Sequence, residues 1–304
     1  MTTVEVVEYT DPGCSYAWGT EPKIRRLRWC YGDQLRWRRV EGSIIADGWH
    51  IPRGLDLADP ALPVNMSNYW KAVTDLTGMP YPAPFHRPHL NTEDACRMVK
   101  AAEHQAGNGH TGVGDDPAAR YIRRLRESWY VWGLCADTFD RAAPLAEGID
   151  GLDPERLLVD VKEPEVEAAY QADWEEMRNP NQYVLDLEDD RVGFGKAREH
   201  NGRMRYGLPC MIFRGPAGEV TVAGLRPWET IEQALESVAP GMTASARPRP
   251  TPAQVFETWP LVAEAELAEL CGEDAEPPPG LVEHRWDGGR VWMTPAEAAV
   301  RPRS

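Results

Sequence analysis

Long apolar segments are lacking in this chain of 304 residues. No uninterrupted run reaches the about 18 apolar residues of a transmembrane helix, so we predict no membrane span. The first residues also lack the basic start and the apolar stretch of a secretory signal peptide. We therefore expect a cytoplasmic protein without a membrane partner.

Closely spaced cysteines are lacking as well. The six cysteines stand far apart, at positions 14, 30, 96, 135, 210 and 271. This spacing offers no paired metal ligands, and a reducing compartment should keep all six as thiols. His86 and His89 have a spacing that could hold a metal, but no cysteine or carboxylate at ligand spacing supports them. We predict no metal site.

Positively charged residues are fewer than negatively charged ones. The chain has 33 Lys and Arg against 48 Asp and Glu, a net charge of −15, which argues against nucleic acid as a partner. Arginines nevertheless cluster in residues 25–39 and 120–126. These clusters could attract an anionic thiol or substrate, but solvated helix and strand faces are the simpler interpretation.

The order of predicted elements is α/β at both ends and helical in between. Residues 4–10 are a short β-branched segment that predicts a buried strand, residues 15–31 a helix and residues 34–40 a second strand, which together form a parallel crossover unit. Residues 45–90 give no clear pattern. Further helices are predicted at about 91–102, 118–138, 152–160 and 163–178.

The α/β pattern resumes after residue 190. A helix is predicted over residues 196–205, strands over 209–213 and 219–223, and a closing helix over 227–238. A helix over 261–270 and a hairpin over 284–292, turning at Asp287-Gly288-Gly289, follow a Pro-rich segment. The predicted units are an N-terminal half (1–85), a helical insertion (86–190), a C-terminal half (191–240), a linker (241–252) and an appendage (253–304).

Three motifs in this order resemble those of DsbA-like oxidoreductases, especially the FrnE-like subgroup. Asp11-Pro12-Gly13-Cys14-Ser15-Tyr16-Ala17-Trp18 is similar to the Asp-Pro-x-Cys-Pro-Trp-Cys-Trp motif of that family. Tyr206-Gly207-Leu208-Pro209 resembles its Gly-Val-Pro loop, and Gly224-Leu225-Arg226-Pro227 its Gly-x-x-Pro segment. The resemblance implies a thioredoxin-like fold, with a central mixed sheet interrupted by a helical insertion and followed by a small C-terminal helix and hairpin unit.

Cys14 is the candidate catalytic residue. A cysteine at the start of a helix faces free N–H groups and the positive end of the helix dipole, so we expect a lowered pKa and a nucleophilic thiolate. The Tyr16 and Ala17 amides would stabilise that thiolate. The resemblance implies that Pro209 is cis and that the Leu208–Pro209 loop faces Cys14 and holds the substrate.

The remaining candidates support this site or pack around it. Asp11 could cap the helix or influence Cys14, and Glu21 is either a buried proton-transfer acid or a solvated first-turn acid. Tyr16 and Trp18 could line the pocket or belong to the core. Cys210 could resolve a bond to Cys14, although a core-strand cysteine is the simpler interpretation.

The motif departs from the family at Ala17, where the second cysteine would stand, and at Ser15, which replaces a proline. A dithiol mechanism needs that second cysteine. We therefore predict an oxidoreductase or transferase that acts through Cys14 alone, without a tightly bound cofactor and with glutathione or mycothiol as co-substrate. The alternatives are a non-catalytic adaptor, like the Spx-degradation adaptors of this fold, and an isomerase related to the kappa-class glutathione transferases.

Overall fold

A four-stranded mixed sheet forms the centre of the structure, a computed structural model that describes residues 3–44, 62–82, 91–107, 113–200 and 202–301. Its strands β1 and β2 pair in parallel, and two later strands, β5 and β6, pair antiparallel, in the order β2-β1-β5-β6. This is the mixed sheet that the sequence predicts. The four strands are Val4–Thr10 (β1), Leu35–Glu41 (β2), Cys210–Gly215 (β5) and Gly218–Ala223 (β6).

The crossover between β1 and β2 consists of two helices. The sequence predicts one helix over 15–31, but a four-residue helix, Ser15–Trp18 (α1), is followed by a separate helix, Glu21–Tyr31 (α2). Pro22 lies in the first turn of α2, where its missing N–H is not needed, and this favours a new helix start at this point. The break keeps α1 short and places its N-terminus at the end of β1.

Seven helices lie between the two halves of the sheet in the part of the chain that the structure describes. The five of them between residues 93 and 177 surround their own apolar core, which includes Met98, Tyr121, Ile122 and Leu157. The helix predicted over 118–138 is shorter and ends at Tyr130. The seven are Leu62–Thr77 (α3), Glu93–Ala106 (α4), Pro117–Tyr130 (α5), Phe139–Ala142 (α6), Pro154–Asp160 (α7), Pro164–Met177 (α8) and Gln182–Leu185 (α9).

The prediction of a helix over residues 196–205 is wrong. These residues form a two-stranded antiparallel hairpin of Arg198–His200 (β3) and Arg203–Arg205 (β4). Gly202, in the turn, has a φ of +77°, which a helix does not allow. The hairpin leads directly into the loop before β5.

The C-terminal part contains one strand that the sequence does not predict. Of the residues 261–270 predicted as helix, the first three form a strand that pairs with the confirmed hairpin, in the order β7-β9-β8. A short continuous apolar segment does not distinguish a strand from a helix start. The elements are Trp228–Val238 (α10), Pro252–Thr258 (α11), Leu261–Ala263 (β7), Glu264–Cys271 (α12), Val282–Trp286 (β8), Gly289–Met293 (β9) and Pro295–Ala299 (α13).

The C-terminal unit (residues 252–301) packs against the crossover helix α2. Arg25 of α2 donates to Leu261 O at 3.0 Å and pairs with Glu266 at 2.8 Å, and both side chains are buried. Trp29 Nε1 donates to Pro248 O at 2.7 Å, so the segment before the unit also contacts α2. The domain limits inferred from the sequence stay predictions.

Candidate active site

Cys14 lies at the start of α1, directly after β1. It is the N-cap residue of that helix, and its Sγ accepts the backbone N–H of Ala17 at 3.5 Å. A side chain at this position accepts from a free N–H of the first helical turn. The motif thus places the cysteine where its sulfur receives a backbone donor.

The thiol of Cys14 is buried, with 6% of its surface exposed. Burial raises the pKa of Cys14 above the usual thiol value and outweighs the Ala17 amide, which lowers it. The negative charge of Asp11 raises this pKa further, whereas the Tyr16 amide and the Arg205 charge lower it. The lowered pKa expected from the sequence is therefore wrong for this conformation, in which burial is the largest influence.

Tyr69 of α3 contributes to the surroundings of the cysteine. Its hydroxyl lies 3.4 Å from Ser15 Oγ, and its ring meets that of Tyr16 edge to face, with ring centroids 6.4 Å apart. Tyr130 of α5 donates its hydroxyl to Gly13 O at 2.7 Å. Sequence reasoning missed both tyrosines, because Tyr69 lies in a segment without a clear pattern and Tyr130 in a predicted helix that contains no motif.

The loop before β5 reaches the same apolar cluster as the cysteine. The peptide bond between Leu208 and Pro209 is cis, and Pro209 O accepts the N–H of Gly224 at 2.7 Å. Leu208 and Cys210 pack in one buried cluster with Cys14 and Ala17. The fold therefore brings together the cysteine motif and the proline loop, which are almost 200 residues apart in the sequence.

Cys210 lies opposite Tyr9 in the pairing of β1 with β5 and is 1% exposed. Burial alone raises the pKa of its thiol. Neither Cys14 nor Cys210 is part of a disulfide. These facts agree with a core-strand cysteine, and a resolving role for Cys210 stays untested.

Asp11 does not cap α1, contrary to the expectation, because Cys14 holds that position. One carboxylate oxygen accepts the N–H of Gly13 at 2.7 Å, and the other accepts the N–H of Ile44 and the hydroxyl of Thr92, each at 2.9 Å. The buried carboxylate thus ties the cysteine loop to the end of β2 and the start of α4.

Glu21 is neither a solvated acid nor suited to proton transfer at neutral pH. It is buried and forms ion pairs with Arg126 and, at 3.4 Å, with Arg123. Burial alone would raise its pKa, but the charges of these two arginines outweigh it and lower the pKa to about 2. The carboxylate therefore stays ionised as part of a buried charge cluster.

The two aromatic candidates differ in their surroundings. Trp18 is 2% exposed, stacks on Tyr130 at 5.5 Å and donates Nε1 to Pro80 O at 2.7 Å, so it belongs to the core. Tyr16 is only partly buried and lies against Gly193, where a Cβ would come within 2.0 Å of its ring. Tyr16 is thus the one of the pair at the edge of the site.

Arg205, at the end of β4, is a site residue that the sequence analysis missed. It is buried, and its Nη1 donates to Tyr206 O at 2.8 Å. Burial lowers its pKa to about 10, while the charges of Cys14 and Asp11 act in the opposite direction. A cation at this place favours the thiolate form of Cys14.

Within the described ranges, no group of three His, Cys, Asp or Glu residues could hold a metal ion. His86 and His89 lie outside those ranges. Across the same ranges, no helix combines the length and the apolar character needed to cross a membrane.

The sheet order, the inserted helices and the proline loop define a DsbA-like thioredoxin fold, as the motifs predicted. A solved structure of a proposed protein disulfide isomerase from Nitrosomonas europaea is similar, with a TM-score of 0.55 and 18% identity, over 77% of this chain and 97% of that one. The search of protein-family models finds no match. Membership of the FrnE-like subgroup stays a prediction.

Two curated relatives have the same description, ClpXP adapter protein SpxH. The protein of Shouchella clausii is 24% identical over 276 residues, which cover 90% of this chain and 80% of that protein. The protein of Halalkalibacterium halodurans is 25% identical over 130 residues, which cover 42% of this chain and only 39% of that protein.

Proposed function

We propose that this protein is a thiol-dependent oxidoreductase or transferase that acts through Cys14 alone, in the cytoplasm, with glutathione or mycothiol as co-substrate. The observation that carries the proposal is the Ala17 N–H directed at Cys14 Sγ at 3.5 Å. The Tyr16 amide and the Arg205 charge also favour the thiolate. Three independent groups therefore support a negative charge on this sulfur.

Burial opposes the thiolate, so the reaction needs the cysteine to become accessible. Ser15 and Tyr69 meet through one long contact of 3.4 Å between their hydroxyl groups. A substrate that displaces Tyr69 would remove part of the burial that raises the pKa of Cys14. In this proposal, substrate entry and thiolate formation are coupled.

The first step is thiol–disulfide exchange with a small disulfide such as oxidised glutathione. The deprotonated Cys14 sulfur attacks one disulfide sulfur, a mixed disulfide forms, and one glutathione thiolate leaves and takes up a proton from solvent. A second thiol other than glutathione, the substrate, then attacks the glutathione sulfur of the mixed disulfide, forms a new disulfide with it and releases Cys14 as the thiolate. These two reaction steps need no second cysteine, in agreement with the alanine at position 17.

Intact mass spectrometry after incubation with oxidised glutathione, and separately with mycothiol disulfide, tests the proposal. We expect one adduct, mapped to Cys14 and lost in Cys14→Ser. Cys271→Ser is the matched control, because Cys271 is among the less buried cysteines and is outside the site. Adducts at Cys135 or Cys271 alone, or an internal bond between Cys14 and Cys210, would contradict the single-thiol mechanism.

A non-catalytic adaptor is the second candidate, and one observation favours it. The similarity to an adapter protein extends over 90% of this chain, and a protein-binding role would not need the second cysteine. Cys14→Ser separates the two functions in cells. An adaptor keeps its cellular effect in this variant, whereas the proposed enzyme loses it.

A further inference from the structure

A cavity of about 70 Å³ lies between α2, α5 and the C-terminal unit, outside the candidate active site. Five arginines line it, one from α2, three from α5 and one from the end of the described chain. We call it the arginine cleft. Its arginines are Arg25, Arg120, Arg123, Arg124 and Arg301.

The lining of the arginine cleft is positive although the protein is acidic. Three carboxylates, Asp115, Glu127 and Glu297, face the five arginines, which leaves an excess of two positive charges. Glu266 pairs with Arg25 and Arg123 from outside the lining and reduces the excess to one, while Glu21, which also pairs with Arg123, is balanced by its second partner Arg126. A local positive site in a chain with a net charge of −15 favours an anionic ligand.

The arginines of α5 are not the solvated face that the sequence suggests. Arg123 and Arg124 are buried, and Arg120 is partly buried. Arg123 is saturated by Glu266, at 2.5 and 3.0 Å, and by Glu127 at 2.8 Å. It is therefore structural, and a ligand would meet the other arginines.

Arg120 and Arg301 have capacity for a further partner. The Arg120 side chain lines the cleft and has no hydrogen bond or ion pair with any residue in the described part of the chain. Arg301 pairs with Glu127 and Glu297 through Nη2, but its buried Nε has no acceptor there. Burial and the nearby Arg301 charge together lower the pKa of Arg124, which indicates repulsion between cations that an anion would relieve.

Two further buried donors in the cleft residues lack an acceptor among the described residues, Arg25 Nε and Trp259 Nε1. Both residues are at most 2% exposed, and the Arg25 guanidinium lies 5.3 Å from the Trp259 ring centroid. Buried N–H groups without acceptors are rare and costly in native proteins. With Arg301 Nε, three such donors belong to the walls of one cavity.

We propose that the arginine cleft binds a compact oxyanion, either free phosphate or the phosphoryl group of a small metabolite. Guanidinium groups bind such tetrahedral anions through paired, charge-assisted hydrogen bonds. The volume of the cavity suits a group of this size and excludes a nucleoside. The excess of positive charge agrees with one or two negative charges on the ligand.

Because of where the cleft lies, a bound ligand should affect the stability of the fold. Its walls come from α2, from the helical insertion and from the C-terminal unit, so a bound anion contacts three separate parts of the chain. A ligand that binds only the folded state raises stability with its concentration. The bound oxyanion therefore strengthens the attachment of the C-terminal unit.

The test uses the full-length protein, isothermal titration calorimetry and thermal unfolding at constant ionic strength. Inorganic phosphate and methyl phosphate are the probes, with chloride as reference. We expect saturable binding, weakened by roughly tenfold in Arg120→Gln and less in Arg120→Lys, because one charged hydrogen-bond partner is lost. Arg249→Gln, an exposed arginine outside the cleft, is the matched control and should bind as the wild type does.

The comparison of variants separates a site from the general salting-out effect of phosphate, which stabilises all variants equally. Binding of inorganic phosphate alone identifies the free ion as the ligand, and equal or tighter binding of methyl phosphate identifies a phosphoryl group. Absence of binding, or identical binding by wild type and a folded Arg120→Gln, would overturn the proposal. Neither result affects the proposal for Cys14.

Discussion

The backbone N–H of Ala17 donates to Cys14 Sγ at 3.5 Å, so the residue three positions after the cysteine contacts its sulfur. Its side chain is 1% exposed and packs in the cluster that contains Cys14. Alanine at position 17 thus supplies a backbone donor to Cys14 but no second sulfur.

Ala17→Cys is expected to restore a dithiol pair. Oxidation should then give an internal bond between residues 14 and 17, seen as the loss of two hydrogens by intact mass and mapped by peptide analysis. The added sulfur in a packed core should destabilise the reduced protein by about 1–3 kcal/mol. Ala17→Ser is the control of similar size without redox chemistry. If the mass after oxidation is still that of the dithiol form, the two side chains cannot form a disulfide.

Tyr69→Ala is expected to activate Cys14 towards alkylation. Removing the ring exposes Ser15 and the cysteine loop, lessens the burial that raises the pKa of Cys14 and increases the thiolate fraction. A fall of one unit in this pKa increases the alkylation rate at pH 7.5 by about tenfold. The measurement is the pH dependence of iodoacetamide labelling of Cys14. Tyr183→Ala, on an exposed tyrosine outside the cluster, is the control and should label at the wild-type rate.

Gly193→Ala is expected to disturb the site through Tyr16. Residue 193 has a φ of +85°, and a Cβ there would lie 2.0 Å from the Tyr16 ring. Gly202→Ala is the matched control, because it has a similar φ of +77° but no atom within 4 Å of the added Cβ. Urea unfolding should show that the free energy of unfolding falls by about 1–2 kcal/mol in the control and by more in Gly193→Ala. Equal costs would mean that Tyr16 moves aside freely.

Glu266→Gln is expected to destabilise the fold by about 3–5 kcal/mol, because it removes the buried carboxylate that pairs with Arg25 and one of the carboxylates that pair with Arg123. Glu269→Gln, one turn further along the same helix, is the control. Its partner Arg26 is partly exposed, and the loss should stay below about 1 kcal/mol. Chemical unfolding of both variants gives the loss in free energy of unfolding. Similar losses would show that the buried ion pair stabilises the fold no more than the partly exposed pair does.

Two buried glutamates should give opposite dependences of stability on pH. Glu41 is fully buried, and neither of its carboxylate oxygens has a hydrogen-bond partner in the described ranges. Burial raises its pKa to about 8, against the opposing charge of Lys100. Because the folded pKa is raised, the contribution of Glu41 is fully present below about pH 4.5 and is lost as the pH rises towards about 8.

Glu41→Gln should therefore reduce the loss of unfolding free energy between pH 5 and pH 8 by on the order of 3 kcal/mol.

The contribution of Glu21 to stability depends on pH in the opposite direction, because its pKa is lowered to about 2. Its contribution is present above about pH 4.5 and is lost as the pH falls towards about 2. Glu21→Gln should remove this loss on acidification, and an unchanged pH profile in either variant would contradict the assigned burial or ion pairs.

The sequence predicts the parts of the site that depend on local pattern. Val4–Thr10 is a buried strand by its β-branched residues, and Cys14 follows it at a helix start, as the motif requires. The mixed central sheet is what the resemblance of the three motifs implies. Local chemistry and chain order decide these features, so one sequence is enough to infer them.

The features that the sequence does not predict depend on contacts between distant segments. The raised pKa of Cys14 follows mainly from burial, and the nearby Tyr69 comes from a helix more than 50 residues later in the chain. Residues 198–205 have no strand pattern, and their hairpin form places Arg205 beside the site. Burial and charge neighbours of this kind are set by packing.

The shared partner of Arg25 and Arg123 also sets a limit on the order of folding during synthesis. Glu266 follows Arg25 by 241 residues and Arg123 by 143 residues. Arg123 also pairs with Glu21 and Glu127, which precede residue 266, but among the described residues Arg25 has no paired buried carboxylate to compensate its desolvation until residue 266 has been made. The crossover helix α2 therefore reaches its final environment only after translation has passed residue 266.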